Sequence, residues 1–171
     1  ISGELYGDKS LSKRPMNRII NPLIKMNIKL KSKTGTLPIK FNASKSQSIK
    51  HKLNVPSAQV KSSLIFSALT CTDNSEIQDI FNTRDHTERL IKFLGYDKKY
   101  YSKFDIKGFN YTVPGDISSA SYLIATALLI PKSNITINNL IFNKTRRGYI
   151  QALQKMGANI NILNKLLVSK Y

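Results

Sequence analysis

Ser57 and Gln59 are the residues whose types and spacing first point to chemistry. They lie in Val55-Pro56-Ser57-Ala58-Gln59-Val60-Lys61-Ser62-Ser63, just ahead of the apolar run Leu64-Ile65-Phe66-Ser67-Ala68-Leu69. The proline pushes Val55 out of helical geometry, and a serine followed by helix formers is an N-cap signature, so a strand is expected to end at Val55 and a helix to start at Ser57. A helix N-terminus presents N–H groups without intrahelical partners and the positive end of its dipole; beside a serine hydroxyl and the Gln59 amide, these can hold an anion. By itself the stretch also fits a plain capped core helix. Repetition weighs against that reading: Val113-Pro114-Gly115-Asp116-Ile117-Ser118-Ser119-Ala120-Ser121-Tyr122 again passes from Val-Pro through serines into an apolar helix, residues 123–130.

The elements that must position these residues follow from periodicity and turn residues. Arg14-Pro15-Met16 is expected inside a helix capped by Ser10 or Ser12, with Met16, Ile19, Ile20 and Leu23 on one face and Pro22 kinking it or ending it early. Residues 28–33 and 37–41 alternate apolar and basic side chains and read as strands joined by a turn at Gly35, and residues 49–55 form the strand that leads to Ser57. A short strand at 76–80 precedes Thr83-Arg84-Asp85-His86-Thr87-Glu88, where Asp85 and Glu88 make a capping box and Gly95 closes the helix. Further strands are expected at 100–106, 111–113, 134–137, 158–163 and 166–169, and Thr145-Arg146-Arg147-Gly148 opens a last helix that ends at Met156-Gly157. The order strand, Val-Pro helix, strand, Thr-Arg helix, strands thus occurs twice, and the opening Arg14 helix resembles the second half of an earlier copy. This is a repeated βαβαββ unit of the α/β class, and repetition places equivalent helix N-termini where they can converge on one multiply charged anion.

Composition bounds the partners. At 41% hydrophobic residues, the chain of 171 residues is globular and large enough to bury a core. Its 27 Lys and Arg against 10 Asp and Glu give a formal charge of +17, which raises nucleic acid or an acidic membrane as partners. The cations are mostly lysines spread among Asn and Ile, as A·T-rich codons would produce, so the charge favours phosphorylated small molecules over a nucleic-acid surface. Cys71 is the single cysteine and is expected to be a buried helix-end residue, which excludes an internal disulfide and a Cys/His metal set. The apolar stretch 122–130 is too short to span a bilayer. The first residue is Ile1, in what reads as mid-strand, and a fragment of a longer chain is expected.

Four motifs in order, Gly7-Asp8-Lys9-Ser10-Leu11-Ser12-Lys13-Arg14-Pro15-Met16, Ser57-Ala58-Gln59-Val60-Lys61-Ser62, Thr83-Arg84-Asp85-His86-Thr87-Glu88 and Pro114-Gly115-Asp116-Ile117-Ser118-Ser119-Ala120, resemble those of the 5-enolpyruvylshikimate-3-phosphate synthases. The resemblance runs through residues 1–171 but covers only the middle of a complete enzyme, mostly the shikimate-phosphate-binding lobe, with N- and C-terminal flanks missing. It implies the enolpyruvyl transferase fold, two lobes each an inside-out α/β barrel of βαβαββ units with helix N-termini facing the cleft. The implied reaction moves the enolpyruvyl group of phosphoenolpyruvate to the 5-hydroxyl of shikimate 3-phosphate, in aromatic amino-acid biosynthesis, with no metal or organic cofactor. A cytoplasmic enzyme, monomeric when complete, without nucleic-acid or membrane partners, is implied as well.

By the same resemblance, Arg14 and Gln59 would bind phosphoenolpyruvate, while Ser57, Ala58, Gln59, Arg84, Ser119 and Tyr122 would bind shikimate 3-phosphate. A guanidinium fork suits carboxylate and phosphate oxygens in a way an ammonium cannot. Each residue has a plainer role open to it: Arg14 and Arg84 as solvated dipole partners, His86 as a first-turn surface residue, Asp116 as a turn former, Lys61 as a helix-lining residue. The family's opening lysine-serine segment, its Asn-Ala-Gly motif and its later proton-transfer residues are not in the sequence, so no catalytic residue is assigned and the fragment is expected to be inactive by itself. Three alternatives remain: a UDP-sugar enolpyruvyl transferase of the same fold, which would carry a reactive loop cysteine, a basic nucleic-acid-binding module, and the structural remnant of a decayed gene.

Overall fold

Val60, Leu64 and Ala68 recur at helical spacing, while Ile65 and Leu69 mark a second face of the same segment, so this helix is apolar on two sides and must be buried between neighbours. The structure, a computed structural model, describes residues 1–163 and bears this out. The strand expected at 166–169 lies outside the described residues. The chain divides into two compact units, Ile1–Ile106 and Lys107–Tyr171.

In the first unit, β1 (Gly3–Leu5) leads through a 3-10 turn, Leu11–Lys13, to α1 (Asn17–Lys25). Next come β2 (Lys29–Lys31) and β3 (Ile39–Asn42), and the three strands form an antiparallel sheet in the order β1-β3-β2, with Leu5 opposite Ile39 and Leu30 opposite Phe41. β4 (Lys50–Lys52), α2 (Ala58–Ala68) and β5 (Glu76–Gln78) then make a βαβ crossover whose two strands are parallel, with His51 opposite Ile77. α3 (His86–Phe93) completes the unit. Met26, Leu53, Val60, Leu64, Ala68 and Cys71 are buried together, with Ile19 and Leu23 of α1 packed on them, while Ile65, Leu69, Ile91 and Tyr96 form a second cluster on the other side of α2. Each such fully buried aliphatic side chain contributes about 1.5–3 kcal/mol, so α2 anchors the unit.

The second unit repeats the crossover in reduced form. α4 (Ile117–Leu129) lies between Gly115 and Leu140, which form a parallel bridge, and α5 (Gly148–Lys155) follows. The repeat is plainest at the helix C-termini. α1, α3 and α5 all end in the same motif, with a residue in left-handed backbone (Asn27, φ 62; Gly95, φ 97; Gly157, φ 94). In each, the next N–H reaches back to a carbonyl five residues earlier: Ile28 to Leu23, Tyr96 to Ile91 and Ala158 to Leu153. The opening helix is therefore the counterpart of the later two.

Several expectations are corrected. Arg14 is not in a helix: as the residue before Pro15 it is extended (ψ 136), and α1 begins only at Asn17, after a Met16 cap position whose side chain makes no cap bond. α1 runs past the buried Pro22 and closes one turn later. Asp85 stands at the N-cap of α3 without a side-chain cap bond, so the capping box does not form; its carboxylate pairs with Arg89 at 2.9 Å. Residues 100–106 contribute only the Ser75–Tyr101 bridge, and 111–113, 134–137 and 158–163 are not strands. A strand is completed by a neighbour, and among the described residues these segments meet one at single points or not at all.

Candidate functional site

The candidate site is built at the N-terminus of α2. Ser57 has extended backbone (φ −129, ψ 109), is buried, and its hydroxyl accepts from the Val60 N–H at 3.4 Å while donating to Gln59 Oε1 at 3.3 Å. The cap expected from the sequence is present, and it is neutral. One hydroxyl therefore closes the helix start and steers the exposed Gln59 amide. The N–H groups of Ala58 and Gln59, in the first turn, have no intrahelical acceptor.

The first turn of α3 lies beside that of α2. Ser62 Oγ and Thr87 Oγ1 are 2.6 Å apart, and the Lys61 ammonium pairs with Glu88 Oε1 at 2.6 Å and with Asp79 Oδ2 at 2.9 Å. Lys61, expected merely to line its helix, is only 4% exposed. Burial works to lower its pKa, but the hydrogen bonds it donates to Glu88 and Asp79 and the charges of those carboxylates outweigh burial and raise the pKa above the ordinary lysine value. Burial likewise acts to raise Asp79, yet donors from Thr83, Lys61 and Phe81 hold it down to about 2. The signal in the sequence was a lysine flanked by Val60, Leu64 and Ile65 on a helix apolar on two sides, where an ammonium must find carboxylates.

Arg84 sits in the turn between Asp79 and α3, half-buried, with no ion pair or side-chain hydrogen bond among the described residues. His86 opens α3 and is half-buried, not a surface residue. Arg14 is exposed beside Lys9, Ser10, Lys13 and Pro15 around an open basic depression, immediately before the helix that packs against α2. The structure thus joins the starts of α2 and α3, carrying Ser57, Ala58, Gln59 and Arg84, and places Arg14 ahead of their neighbour α1.

Ser119 and Tyr122 belong to the second unit. Asp116 caps α4 there, accepting from the Ser118 N–H at 3.1 Å and the Ser119 N–H at 3.2 Å, and also from the Ser119 hydroxyl. Those bonds, the one from Ser118 first, hold Asp116 below the usual carboxylate range. Arg146 donates to Ser118 Oγ, and Tyr149 donates to the Ile117 carbonyl at 2.8 Å. Tyr122 points to solvent, 78% exposed. Cys71 is buried at the end of α2, its thiol on the Ser67 carbonyl at 3.4 Å, as expected. No helix among the described residues is long and apolar enough to cross a membrane.

Residues 2–170 match the family model of EPSP synthase (3-phosphoshikimate 1-carboxyvinyltransferase). The chain belongs to the EPSP synthase family. It is 42% identical over 173 residues to the 3-phosphoshikimate 1-carboxyvinyltransferase of Vesicomyosocius okutanii, covering 96% of this chain and 40% of that protein. With the enzyme of the same name from Staphylococcus carnosus it shares 39% identity over 180 residues, covering 99% of this chain and 42% of the relative. An EPSP synthase structure from Acinetobacter baumannii superposes with a TM-score of 0.80 at 34% identity, over 95% of this chain and 39% of that one. The mixed α/β repeat is thus the enolpyruvyl transferase fold of the EPSP synthases. The chain spans about two fifths of the length of these relatives.

Proposed function

We propose that this chain is the shikimate-3-phosphate-binding part of an EPSP synthase, an enzyme that transfers the enolpyruvyl group of phosphoenolpyruvate to the 5-hydroxyl of shikimate 3-phosphate and releases phosphate. The observation that carries the reading is the pairing of the α2 and α3 starts, which gathers Ser57, Gln59 and Arg84 in one unit of a chain that matches the family. In this reading the substrate phosphate takes the Ser57 hydroxyl and the Ala58 N–H, and the Gln59 amide, steered by Ser57, spans the two substrates. Arg84 supplies a charge that does not titrate, and the exposed Arg14 fork grips phosphoenolpyruvate. The reading does not depend on Ser119 or Tyr122.

Transfer also requires proton removal from the 5-hydroxyl and proton delivery to the methylene carbon, and none of the residues assigned here does either. The purified chain is therefore expected to bind shikimate 3-phosphate without releasing phosphate from the substrate pair. On this reading the working enzyme is a cytoplasmic monomer acting on small anions. An NMR titration of the 171-residue chain with shikimate 3-phosphate tests it, with inorganic phosphate and mixed-sequence DNA as controls. Shifts concentrated at Ser57, Gln59 and Arg84 and lost in Arg84→Ala support the site. Diffuse shifts that follow ligand charge alone overturn it, and tight DNA binding with steep salt dependence favours a nucleic-acid module.

A further inference from the structure

Lys61 is a full cation buried in the helix that anchors the first unit, and nothing in the proposed chemistry uses it. A hydrophobic residue of similar volume would fill such a position at no desolvation cost, and buried ion pairs are poor sources of stability. What they do well is fix one geometry, because removing either partner strands a charge. The geometry fixed here is specific. Asp79 comes from the segment after β5 and Glu88 from the first turn of α3, so one ammonium on α2 ties down both ends of the turn that carries Arg84. Asp79 in turn accepts from Phe81 N, Thr83 N and Thr83 Oγ1, all at 2.6–2.9 Å, which freezes the chain up to the residue before Arg84. Arg84 has no side-chain tether of its own among the described residues, so its place is inherited from Thr83.

We propose that Lys61 is a positioning residue for the anion site: through Asp79 and Glu88 it holds the Thr83–Arg84 turn and the start of α3 against the start of α2. Capture of shikimate 3-phosphate by Ser57, Gln59 and Arg84 then depends on a side chain that does not touch the ligand. This inference rests on the functional reading above, and its test separates the two.

The test uses the whole chain, with amide hydrogen exchange followed residue by residue and shikimate 3-phosphate affinity measured by calorimetry, in wild type, Lys61→Met, Arg84→Ala and the double variant. In folded Lys61→Met, the Thr83 N–H is expected to lose protection while that of Leu64 in α2 keeps it. Affinity should fall about tenfold, and adding Lys61→Met to Arg84→Ala should cost less than about twofold more, because the first acts through the second. If Lys61→Met does not fold, Glu88→Gln, which keeps the shape and weakens the pair, should give the same pattern at smaller amplitude. Unchanged Thr83 protection in a folded variant overturns the proposal, as does an affinity loss equal in size with and without Arg84, the mark of a merely structural role. Failure of the wild-type chain to bind shikimate 3-phosphate overturns the functional reading instead, and the Thr83 exchange then decides the positioning claim by itself.

Discussion

Thr83 donates both its backbone N–H and its hydroxyl to one oxygen of Asp79, at 2.9 and 2.6 Å. The same oxygen receives the Lys61 ammonium at 2.9 Å, so three donors stabilise the ionised carboxylate and its pKa stays at about 2 although burial opposes this. A pKa lower in the folded state than in the unfolded one contributes stability that is present above the unfolded value, near 4, and is lost as pH falls through the folded value. Urea midpoints should therefore drop between about pH 4 and pH 2, with a share on the order of 2 kcal/mol belonging to Asp79. Asp79→Asn should remove that share of the acid slope and destabilise the chain at pH 7. Lys61 has the opposite sign: its raised pKa stabilises below the ordinary lysine value and is lost only as pH rises through the folded one.

Tyr96 closes the base of the first unit. Its hydroxyl donates to the Tyr100 carbonyl and accepts from the Ser102 N–H, both at 2.7 Å, in a buried setting. Tyr96→Phe leaves the Ser102 N–H without that acceptor, and unfolding by denaturant should show a loss of about 1–3 kcal/mol with little change in the slope.

The three helix terminators differ in residue but share one backbone shape. Gly95 and Gly157 have open space where a Cβ would go, so Gly95→Ala or Gly157→Ala meets no clash and suffers only the left-handed backbone penalty, about 1 kcal/mol. Asn27→Gly, at φ 62, relieves the backbone but gives up the bond from Asn27 Nδ2 to the Lys45 carbonyl at 3.3 Å, so it should cost less than either alanine variant. Thermal melts of the three variants check the order, and a cost well above 2 kcal/mol at either glycine would contradict the geometry.

Ser57→Ala separates stability from binding. Its cap bond is long, 3.4 Å, so the stability loss should fall in the lower part of the usual range, below about 1 kcal/mol. Shikimate 3-phosphate affinity should fall by more than that loss explains, because the variant also lacks the hydroxyl offered to phosphate and the link that steers Gln59. Calorimetry on the folded variant makes the comparison.

The helices were legible in the sequence because their signals are local. Val-Pro-Ser marked the start of α2, the glycines at 95 and 157 marked two ends, and the return of Val-Pro and serines at 113–121 exposed the repeat. The start of α1 was missed for a local reason, the extended backbone of Arg14 before Pro15, and the other misses came mainly where a non-local partner decides. Residues 111–113 and 134–137 have strand composition but, among the described residues, lack the continuous neighbour that a ladder requires. Asp85 and Glu88 have capping-box spacing, but Arg89 claimed the first and Lys61 the second. For Lys61 the apolar neighbours Val60, Leu64 and Ile65 signalled burial, but which carboxylates it pairs with is decided only where α2 meets α3 and the segment after β5. Of the candidate site, the Ser57 cap was readable; that Ser57 and Arg84 hang on joined helix starts was not.

The two Val-Pro helices begin with caps of different charge. α2 begins with a hydroxyl, which satisfies the Val60 N–H and leaves the positive pole of the helix uncompensated. α4 begins with an ionised carboxylate that already holds two backbone N–H groups and the Ser119 hydroxyl. The repeat thus pairs one helix start whose cap adds no charge with one that carries its own anion, and a single exchange, Ser57→Asp, should compensate the first pole and weaken the proposed phosphate binding there while keeping its helix intact.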